Sequence, residues 1–147
     1  ILALPVLYSL QNCPYAIRAR LAILLAQQKV QIRAITMKDK PAEMIAASPK
    51  ATVPVLVITD QSAVHSDSNE TVIDESLDIM LWALNQNDPE NLLYSHDPQA
   101  LPEMLRVIQH NDDEFKPSLE KYKRAKRFVS ARAWVKSPCA RSWRASS

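Results

Sequence analysis

The sequence predicts an α/β domain, with a four-stranded mixed sheet and flanking helices, followed by a partial all-α domain. Within residues 1–85, apolar or β-branched runs alternate with helical patterns in the order strand, helix, strand, helix, strand, strand, helix. Residues 86–99 are rich in Asn, Asp and Pro, which is typical of a linker. Residues 100–147 hold two amphipathic helical patterns and an irregular basic tail.

The first half of the α/β domain is predicted as strand, helix and strand. "PVLYSL" is a short apolar run bounded by polar residues, which indicates a buried strand at about residues 4–8. A helix then begins at Asn12 or Cys13, because Pro14 suits the first helical turn. A backbone N–H in that turn has no partner within the helix, so proline loses no hydrogen bond there. In "VQIRAIT", apolar and polar residues alternate, which predicts a second strand. The apolar residues of the helix recur at helical spacing: Ile17, Leu21, Leu24 and Leu25.

The second half of the domain is predicted as a short helix, two strands and a longer helix. "KPAEMIAAS" predicts a helix opened by Pro41 and closed before Pro49. The β-branched run "TVPVLVIT" predicts a third strand at about residues 53–59, and "TVI" a brief fourth strand after a polar turn. Asp74 is then predicted to cap the helix of "ESLDIMLWAL".

Composition and charge exclude some classes of function. No apolar run approaches the roughly 20 residues that a membrane span needs, so no membrane association is expected. Residues 116–147 carry 10 Lys and Arg against 1 Asp or Glu, but no aromatic–basic motif accompanies them, which disfavours nucleic-acid binding. The three histidines have no paired metal-ligand spacing, so no metal is expected. Two distant cysteines, Cys13 and Cys139, and no export signal favour a reducing cytoplasm.

Cys13 is the candidate reactive residue. At the start of a helix, unpaired N–H groups and the helix dipole favour an anion, and hence a nucleophilic thiolate. Ala16 occupies the position of a second cysteine in a CxxC pair, so the site needs an external thiol to complete disulfide exchange. The alternative is a buried structural cysteine, which behaves as a small hydrophobic residue.

Four motifs carry a resemblance to a known family. "YSLQNCPYAIRARL" resembles the first strand–helix junction of the glutathione transferases, above all the cysteine-using omega class and its glutaredoxin-like relatives. "MKDKP", "ASPKATVPVL" and "VIDESLDIM" follow in the order and spacing of that family, across about residues 4–85. The resemblance implies a thioredoxin-like fold for this domain and glutathione as co-substrate.

The first three site residues follow from matching these motifs. Cys13 resembles the catalytic cysteine, which lies beside the thiol of glutathione. Pro54 matches the family's cis-proline, a rare bond that holds a tight turn. By the same match, Val53 presents its backbone N–H and C=O to the peptide backbone of glutathione, as an added strand would.

Three further residues complete the site that the resemblance implies. Glu75 and Ser76 match the acidic–serine pair that binds the γ-glutamyl amine and carboxylate, where a helix N-terminus favours the carboxylate. Lys40 matches a basic residue that meets the glycine carboxylate. Taken singly, Glu75 is also a good first-turn helix residue and Lys40 a surface charge, and only their joint spacing favours a site. Tyr8 is the alternative to Cys13, since other classes use a tyrosine near the first strand, but a packing role is the expectation.

The sequence also departs from the family. Ala51 stands where many members carry glycine, and the whole chain has no glycine, where average usage predicts about ten. A positive φ at Ala51 would strain the loop before Val53. The roughly 60 residues after residue 85 are fewer than the family's helical domain needs, so exposed apolar helix surface and a homodimer are expected.

Two functional hypotheses from different classes follow. The first is a glutathione-dependent transferase or thiol transferase, in which a Cys13 thiolate forms or resolves a mixed disulfide and the second substrate is small and oxidised or electrophilic. The second is a non-catalytic adaptor of the same fold that binds a protein partner, as the stringent starvation protein A does. The basic tail favours the adaptor; the retained Cys13, Val53–Pro54 and Glu75–Ser76 pairs favour the enzyme.

Overall fold

The computed structural model describes residues 4–60 and 69–128. Residues 61–68 of the polar turn predicted at 60–70, and the basic tail at 129–147 with Cys139, lie outside the described residues. The chain divides into two compact units, with the boundary between Leu93 and Tyr94. That boundary falls inside the segment expected to be a linker.

The first unit has the predicted thioredoxin-like architecture, a four-stranded mixed sheet flanked by helices. Its elements follow one another in the predicted order. The strands are β1 (Val6–Ser9), β2 (Gln31–Ala34), β3 (Val55–Asp60) and β4 (Asn69–Ile73). The helices are α1 (Pro14–Leu25), α2 (Ala42–Ala47) and α3 (Ser76–Gln86).

The sheet has the strand order β2–β1–β3–β4. Strand β1 pairs parallel to β2, with Leu7 opposite Ile32, and antiparallel to β3, with Leu7 opposite Leu56. Strands β3 and β4 are antiparallel. Because β1 and β3 run in opposite directions, the segment that follows β1 lies beside the segment that precedes β3, and this adjacency builds the candidate site.

Each face of the sheet has its own core, because successive strand residues point to opposite sides. On one face, buried Leu7 and Leu56 pack against helices α1 and α3. On the other, buried Tyr8 and Val55 pack with Met44 of α2. Tyr8 is 4% exposed, as expected of a packing residue.

Helix α1 packs through a different face from the one its leucines indicate. Its buried residues are small, Ala16, Ala19 and Ala22, together with Ile23. Small side chains allow the helix axis to approach the sheet and α3 closely, so the alanine face is buried and the leucine face stays exposed. The residues singled out by their spacing are exposed: Ile17 (45%), Leu21 (54%), Leu24 (71%) and Leu25 (37%).

The second predicted strand is confirmed, whereas the predicted cap of helix α3 was wrong. Strand β2 lies at the edge of the sheet, and all four of its residues are exposed, including Ile32 at 55%. Helix α3 begins at Ser76 with Glu75, not Asp74, at the N-cap position. Asp74 accepts hydrogen bonds from two side chains between α2 and β3, which are described below with the site.

The second unit is one continuous helix rather than the two separate helices predicted. Helix α4 (Ala100–His110) passes through a π-helical segment (Asn111–Phe115) into α5 (Lys116–Phe128). Pro117 has no N–H to give to the carbonyl four residues earlier, and the wider π turn lies directly before it. The helix exposes apolar residues as expected, among them Val107 at 67%. Among the described residues, no helix is both long and apolar enough for a membrane span.

Candidate active site

A cleft of about 580 Å³ opens where the end of β1, the starts of α1 and α3, and the loop before β3 meet. The structure brings all of the predicted site residues to the lining of this one cleft. They are Cys13, Lys40, Val53, Pro54, Glu75 and Ser76. Their roles in binding and catalysis remain predictions.

The antiparallel pairing of β1 with β3 sets the centre of the cleft. Tyr8 stands opposite Val55, so the residues just after Tyr8 approach the residues just before Val55. The Sγ atom of Cys13 lies 4.0 Å from the carbonyl oxygen of Val53. The Val53–Pro54 peptide bond is cis, as the resemblance implied.

Cys13 occupies the N-cap position of α1, with extended backbone angles (φ −83°, ψ 120°) and Pro14 directly after it. Its carbonyl oxygen accepts the first helical hydrogen bond, from the N–H of Ile17 at 2.9 Å. Its side chain does not cap the helix, so the sulfur is directed to the cleft. The thiol is half-buried, which differs from the structural cysteine of the alternative interpretation.

Arg20 supports the loop that carries Cys13. Its Nη1 donates to Ser9 Oγ (2.5 Å) and to the carbonyl oxygen of Leu10 (3.1 Å), and its Nη2 to the carbonyl oxygen of Gln11 (3.0 Å). The planar guanidinium suits this set because it offers several donors in a fixed geometry. The N–H of Cys13 donates to the same Leu10 oxygen at 3.3 Å, so the loop closes directly onto the thiol residue.

Arg18 connects α1 to α3. Its Nε donates to Ser76 Oγ at 2.8 Å, and Ser76 is 3% exposed. The guanidinium carbon lies 5.1 Å from the centre of the Tyr15 ring, a cation–π distance, and Tyr15 also lines the cleft. Sequence reasoning missed Arg18 and Arg20. Two arginines separated by one residue, in the first turns of a helix that follows a candidate reactive cysteine, are a signal that could have indicated site residues.

Two carboxylates and one lysine form a charged cluster at one end of the cleft. Lys50 Nζ lies 2.8 Å from Glu75 Oε1 and 3.2 Å from Asp74 Oδ1. Buried Ser48 donates its hydroxyl to Asp74 Oδ2 at 2.9 Å. This hydroxyl, and then Lys50, lowers the pKa of Asp74, while Glu75 and then Asp74 raise the pKa of Lys50. Ser48, Lys50 and Asp74 were also missed by sequence reasoning.

The loop between these elements adopts the conformation expected from the family's glycine. Ala51 has a φ of 52°, in the left-handed region that costs an L-residue about 1–2 kcal/mol. Its N–H donates to the carbonyl oxygen of Ser48 at 3.0 Å, which closes the turn that leads to Val53. The loop therefore holds its shape without the residue type that fits it best.

The donor set of the cleft fits an organic ligand with opposite charges better than a metal ion. Among the described residues, no group of three or more His, Cys, Asp and Glu side chains is placed to hold a metal. The cleft pairs carboxylates at Asp74 and Glu75 with cations at Lys40 and Lys50. An organic molecule that carries both an ammonium and a carboxylate matches this mixture of charges.

Comparison with known proteins gives the family. A profile described as "Glutathione S-transferase, N-terminal domain" matches residues 7–91. The sequence matches none of the curated proteins with which it was compared.

Solved structures share the fold. Glutathione transferase Omega 2C from Trametes versicolor has a TM-score of 0.71 at 21% identity, over 90% of this chain and 59% of that chain. Omega 1C from the same organism has a TM-score of 0.69 at 20% identity, over 82% and 52%. A Sulfitobacter glutathione transferase homologue, solved with bound glutathione, has a TM-score of 0.62 at 17% identity, over 88% and 58%.

This chain spans between about half and three fifths of the length of those structures. At such identities the structures show the fold alone, whereas the profile match extends over more than half of the chain. The chain belongs to the glutathione S-transferase family.

Proposed function

We propose that the protein is a glutathione-dependent thiol transferase in which the Cys13 thiolate forms and resolves a mixed disulfide with glutathione. The observation that carries the proposal is the position of Cys13 Sγ, 4.0 Å from the Val53 carbonyl oxygen at the centre of the cleft. A thiol at a helix N-cap, next to a backbone segment that lines the cleft, suits a peptide thiol as its partner.

The lining of the cleft supports an extended tripeptide. The backbone of Val53 pairs with the cysteinyl backbone of glutathione, as a further strand would. Glu75 takes the γ-glutamyl ammonium, and Ser76 with the first N–H groups of α3 takes the adjacent carboxylate. Lys40 takes the glycine carboxylate.

The reaction proceeds by two thiol–disulfide exchanges. The Cys13 thiolate attacks the glutathionyl sulfur of a mixed disulfide, forms a disulfide with glutathione and releases the substrate thiolate, which takes a proton from water. A second glutathione thiolate attacks the glutathionyl sulfur on Cys13, which forms glutathione disulfide and returns the Cys13 thiolate. Ala16 stands where a resolving cysteine would stand, so an external thiol performs this step.

The proposal extends to substrate class, assembly and location. The second substrate is a small oxidised molecule, such as a glutathione mixed disulfide or dehydroascorbate, and conjugation to an electrophile is the secondary chemistry. Homodimerisation would cover apolar surface such as Leu24, which is 71% exposed, and Val107, which is 67% exposed. The cytoplasm supplies the reduced glutathione that the cycle consumes.

Turnover of a glutathione mixed disulfide, with reduced glutathione as the second substrate, tests the proposal. Cys13→Ser is expected to abolish turnover, and intact-protein mass spectrometry is expected to find a glutathione adduct on the wild type and not on this variant. Cys139→Ser is the matched control and retains activity. Unchanged turnover in Cys13→Ser would remove Cys13 from the mechanism, and a wild type with neither adduct nor turnover would favour the adaptor.

A further inference from the structure

We propose that Arg18 is a positioning residue that aims the Ser76 hydroxyl at a ligand carboxylate, and so sets the preference for ligands with a free α-carboxylate. This inference rests on the proposed function, because it takes glutathione as the ligand. Arg18 reaches Ser76 from another helix, 58 positions away in the sequence. It therefore adds a selectivity determinant outside the motif that binds the γ-glutamyl end.

The direction of the hydrogen bond carries the inference. A guanidinium has donors and no acceptor, so at 2.8 Å from Arg18 Nε the Ser76 Oγ atom must be the acceptor. The hydroxyl of Ser76 then keeps its own proton for another partner. In the part of the chain that the structure describes, no protein acceptor for that proton accompanies the Arg18 bond. Because Ser76 lines the cleft, a ligand oxygen can take it.

The backbone around Ser76 supports an anion at the same place. Ser76 is the first residue of α3, and Glu75 does not cap the helix with its side chain. The first N–H groups of the helix thus remain available to an acceptor. A carboxylate that accepts a hydrogen bond from the Ser76 hydroxyl can also accept hydrogen bonds from these N–H groups, so both kinds of donor stabilise the same anion.

The charge balance at this end of the cleft gives Arg18 a second effect. Asp74 and Glu75 contribute two carboxylates, and Lys50 lies within 3.2 Å of both. Arg18 supplies the second cation of the group, through Ser76. Loss of the Arg18 guanidinium removes a positive charge next to Ser76, which weakens the attraction for an incoming carboxylate but not for an incoming ammonium.

The position of Arg18 is fixed before any ligand arrives. Its guanidinium lies over the Tyr15 ring on one side and donates to buried Ser76 on the other. Contacts from two sides limit the rotamers of a long side chain, so little freedom is lost when the ligand binds. Because Arg18 donates to Ser76, which belongs to the carboxylate end of the site, its effect is expected on ligand affinity rather than on the exchange step.

Calorimetric titration of two ligands separates this role from a purely structural one. Reduced glutathione is compared with 4-aminobutanoyl-cysteinylglycine, which keeps the ammonium and lacks the α-carboxylate. Arg18→Met is expected to weaken glutathione binding by about fivefold or more, as for loss of a charge-assisted contact, and to change binding of the analogue by less than about twofold. Arg33→Met, which alters an arginine on edge strand β2, is the matched control and leaves both affinities unchanged.

A double-mutant cycle and a conservative variant complete the test. Ser76→Ala is expected to remove most of the effect of Arg18→Met, so that the two losses do not add. Arg18→Lys, which keeps the charge, is expected to bind glutathione with intermediate affinity, and it carries the same comparison if the Met variant does not fold.

If both ligands lose affinity equally, or if glutathione affinity does not fall, the role of Arg18 is overturned and the proposed function is not affected. A wild type that binds neither ligand would instead overturn the proposed function, and the role of Arg18 with it. A thermal melt of each variant confirms that the titrated protein is folded.

Discussion

The Sγ atom of Cys13 lies 4.0 Å from the carbonyl oxygen of Val53, 40 positions later in the chain. The pairing of β1 with β3 makes this contact, because Tyr8 and Val55 are opposite each other in the sheet. The contact places a half-buried thiol beside a backbone segment that precedes a strand. Its accessibility to reagents and its protection by ligands are both open to measurement.

Alkylation of Cys13 is expected to be blocked by a ligand in the cleft. S-methylglutathione is the suitable occupant, because it cannot itself react with iodoacetamide. At ten times its dissociation constant it reduces the alkylation rate by about tenfold, as one-site occupancy requires. Peptide mass spectrometry follows Cys13 and Cys139 separately, and Cys139 serves as the internal reference. An unchanged rate at Cys13 would place the glutathione site elsewhere.

Arg20→Lys is expected to loosen the loop before Cys13. A lysine ammonium cannot reproduce the planar set of bonds to Ser9, Leu10 and Gln11. We expect the free energy of unfolding to fall by about 1–2 kcal/mol, as for the loss of one charged hydrogen bond. Urea denaturation measures it, with Arg33→Lys on the exposed edge strand as the control. Equal stability of the two variants would show that Arg20 does not hold the loop.

Ser48→Ala is expected to make stability less dependent on acid. The Ser48 hydroxyl lowers the pKa of Asp74 below its ordinary value of 3.8. The hydrogen bond to the Asp74 carboxylate therefore stabilises the folded state fully above that pH, and this stabilisation is lost as pH falls through the folded-state pKa. At pH 7 the variant loses about 1–2 kcal/mol of unfolding free energy, and the loss shrinks below pH 3.8. Urea denaturation at several pH values measures the difference.

Ser118→Ala is the control for this pH series. Its hydroxyl donates to the backbone carbonyl of Glu114, which does not titrate. A pH-independent difference is therefore expected there. A pH-independent loss in Ser48→Ala as well would mean that the Asp74 bond does not cause its effect.

Gln27→Gly is expected to stabilise the protein. Helix α1 ends in a Schellman motif, in which the N–H of Gln27 donates to Leu24 and the N–H of Gln28 to Ile23. Gln27 has a φ of 55°, which strains an L-residue and suits glycine. The gain in unfolding free energy is about 1 kcal/mol, measured by thermal or urea denaturation.

Gln28→Gly makes the same substitution one position later and is the control. It also removes the side-chain bond from Gln28 Nε2 to the Ala26 carbonyl oxygen, so a loss of stability is expected. A loss in Gln27→Gly would contradict the assignment of strain to position 27.

Local signals in the sequence were enough for the order of the elements and for the start of α1. Pro14 after Cys13 marks a helix N-terminus, and the β-branched run after Thr52 marks the third strand, although β3 begins at Val55 rather than Val53. These signals act over a few residues, so an isolated sequence carries them. The family resemblance then implied which residues share a cleft.

The features that were missed depend on contacts between distant segments. The buried residues of α1, Ala16, Ala19, Ala22 and Ile23, recur at helical spacing as the leucines do, and which face packs is decided by how closely each allows the sheet to approach. Arg18 acquires its partner only when α3 lies against α1. Asp74 could have capped α3, but in the folded chain Ser48 and Lys50 bind its carboxylate.

Two helices, α1 and α3, begin at the cleft, and neither is capped by the side chain of its N-cap residue, Cys13 or Glu75. Main-chain N–H groups therefore favour an anion at two points of a cleft whose side chains carry both signs of charge. A main-chain N–H survives every substitution except one to proline, whereas most substitutions of a lysine remove its charge. We infer that attraction for anions is inherited with the backbone path itself, which leaves the surrounding side chains free to diverge in evolution.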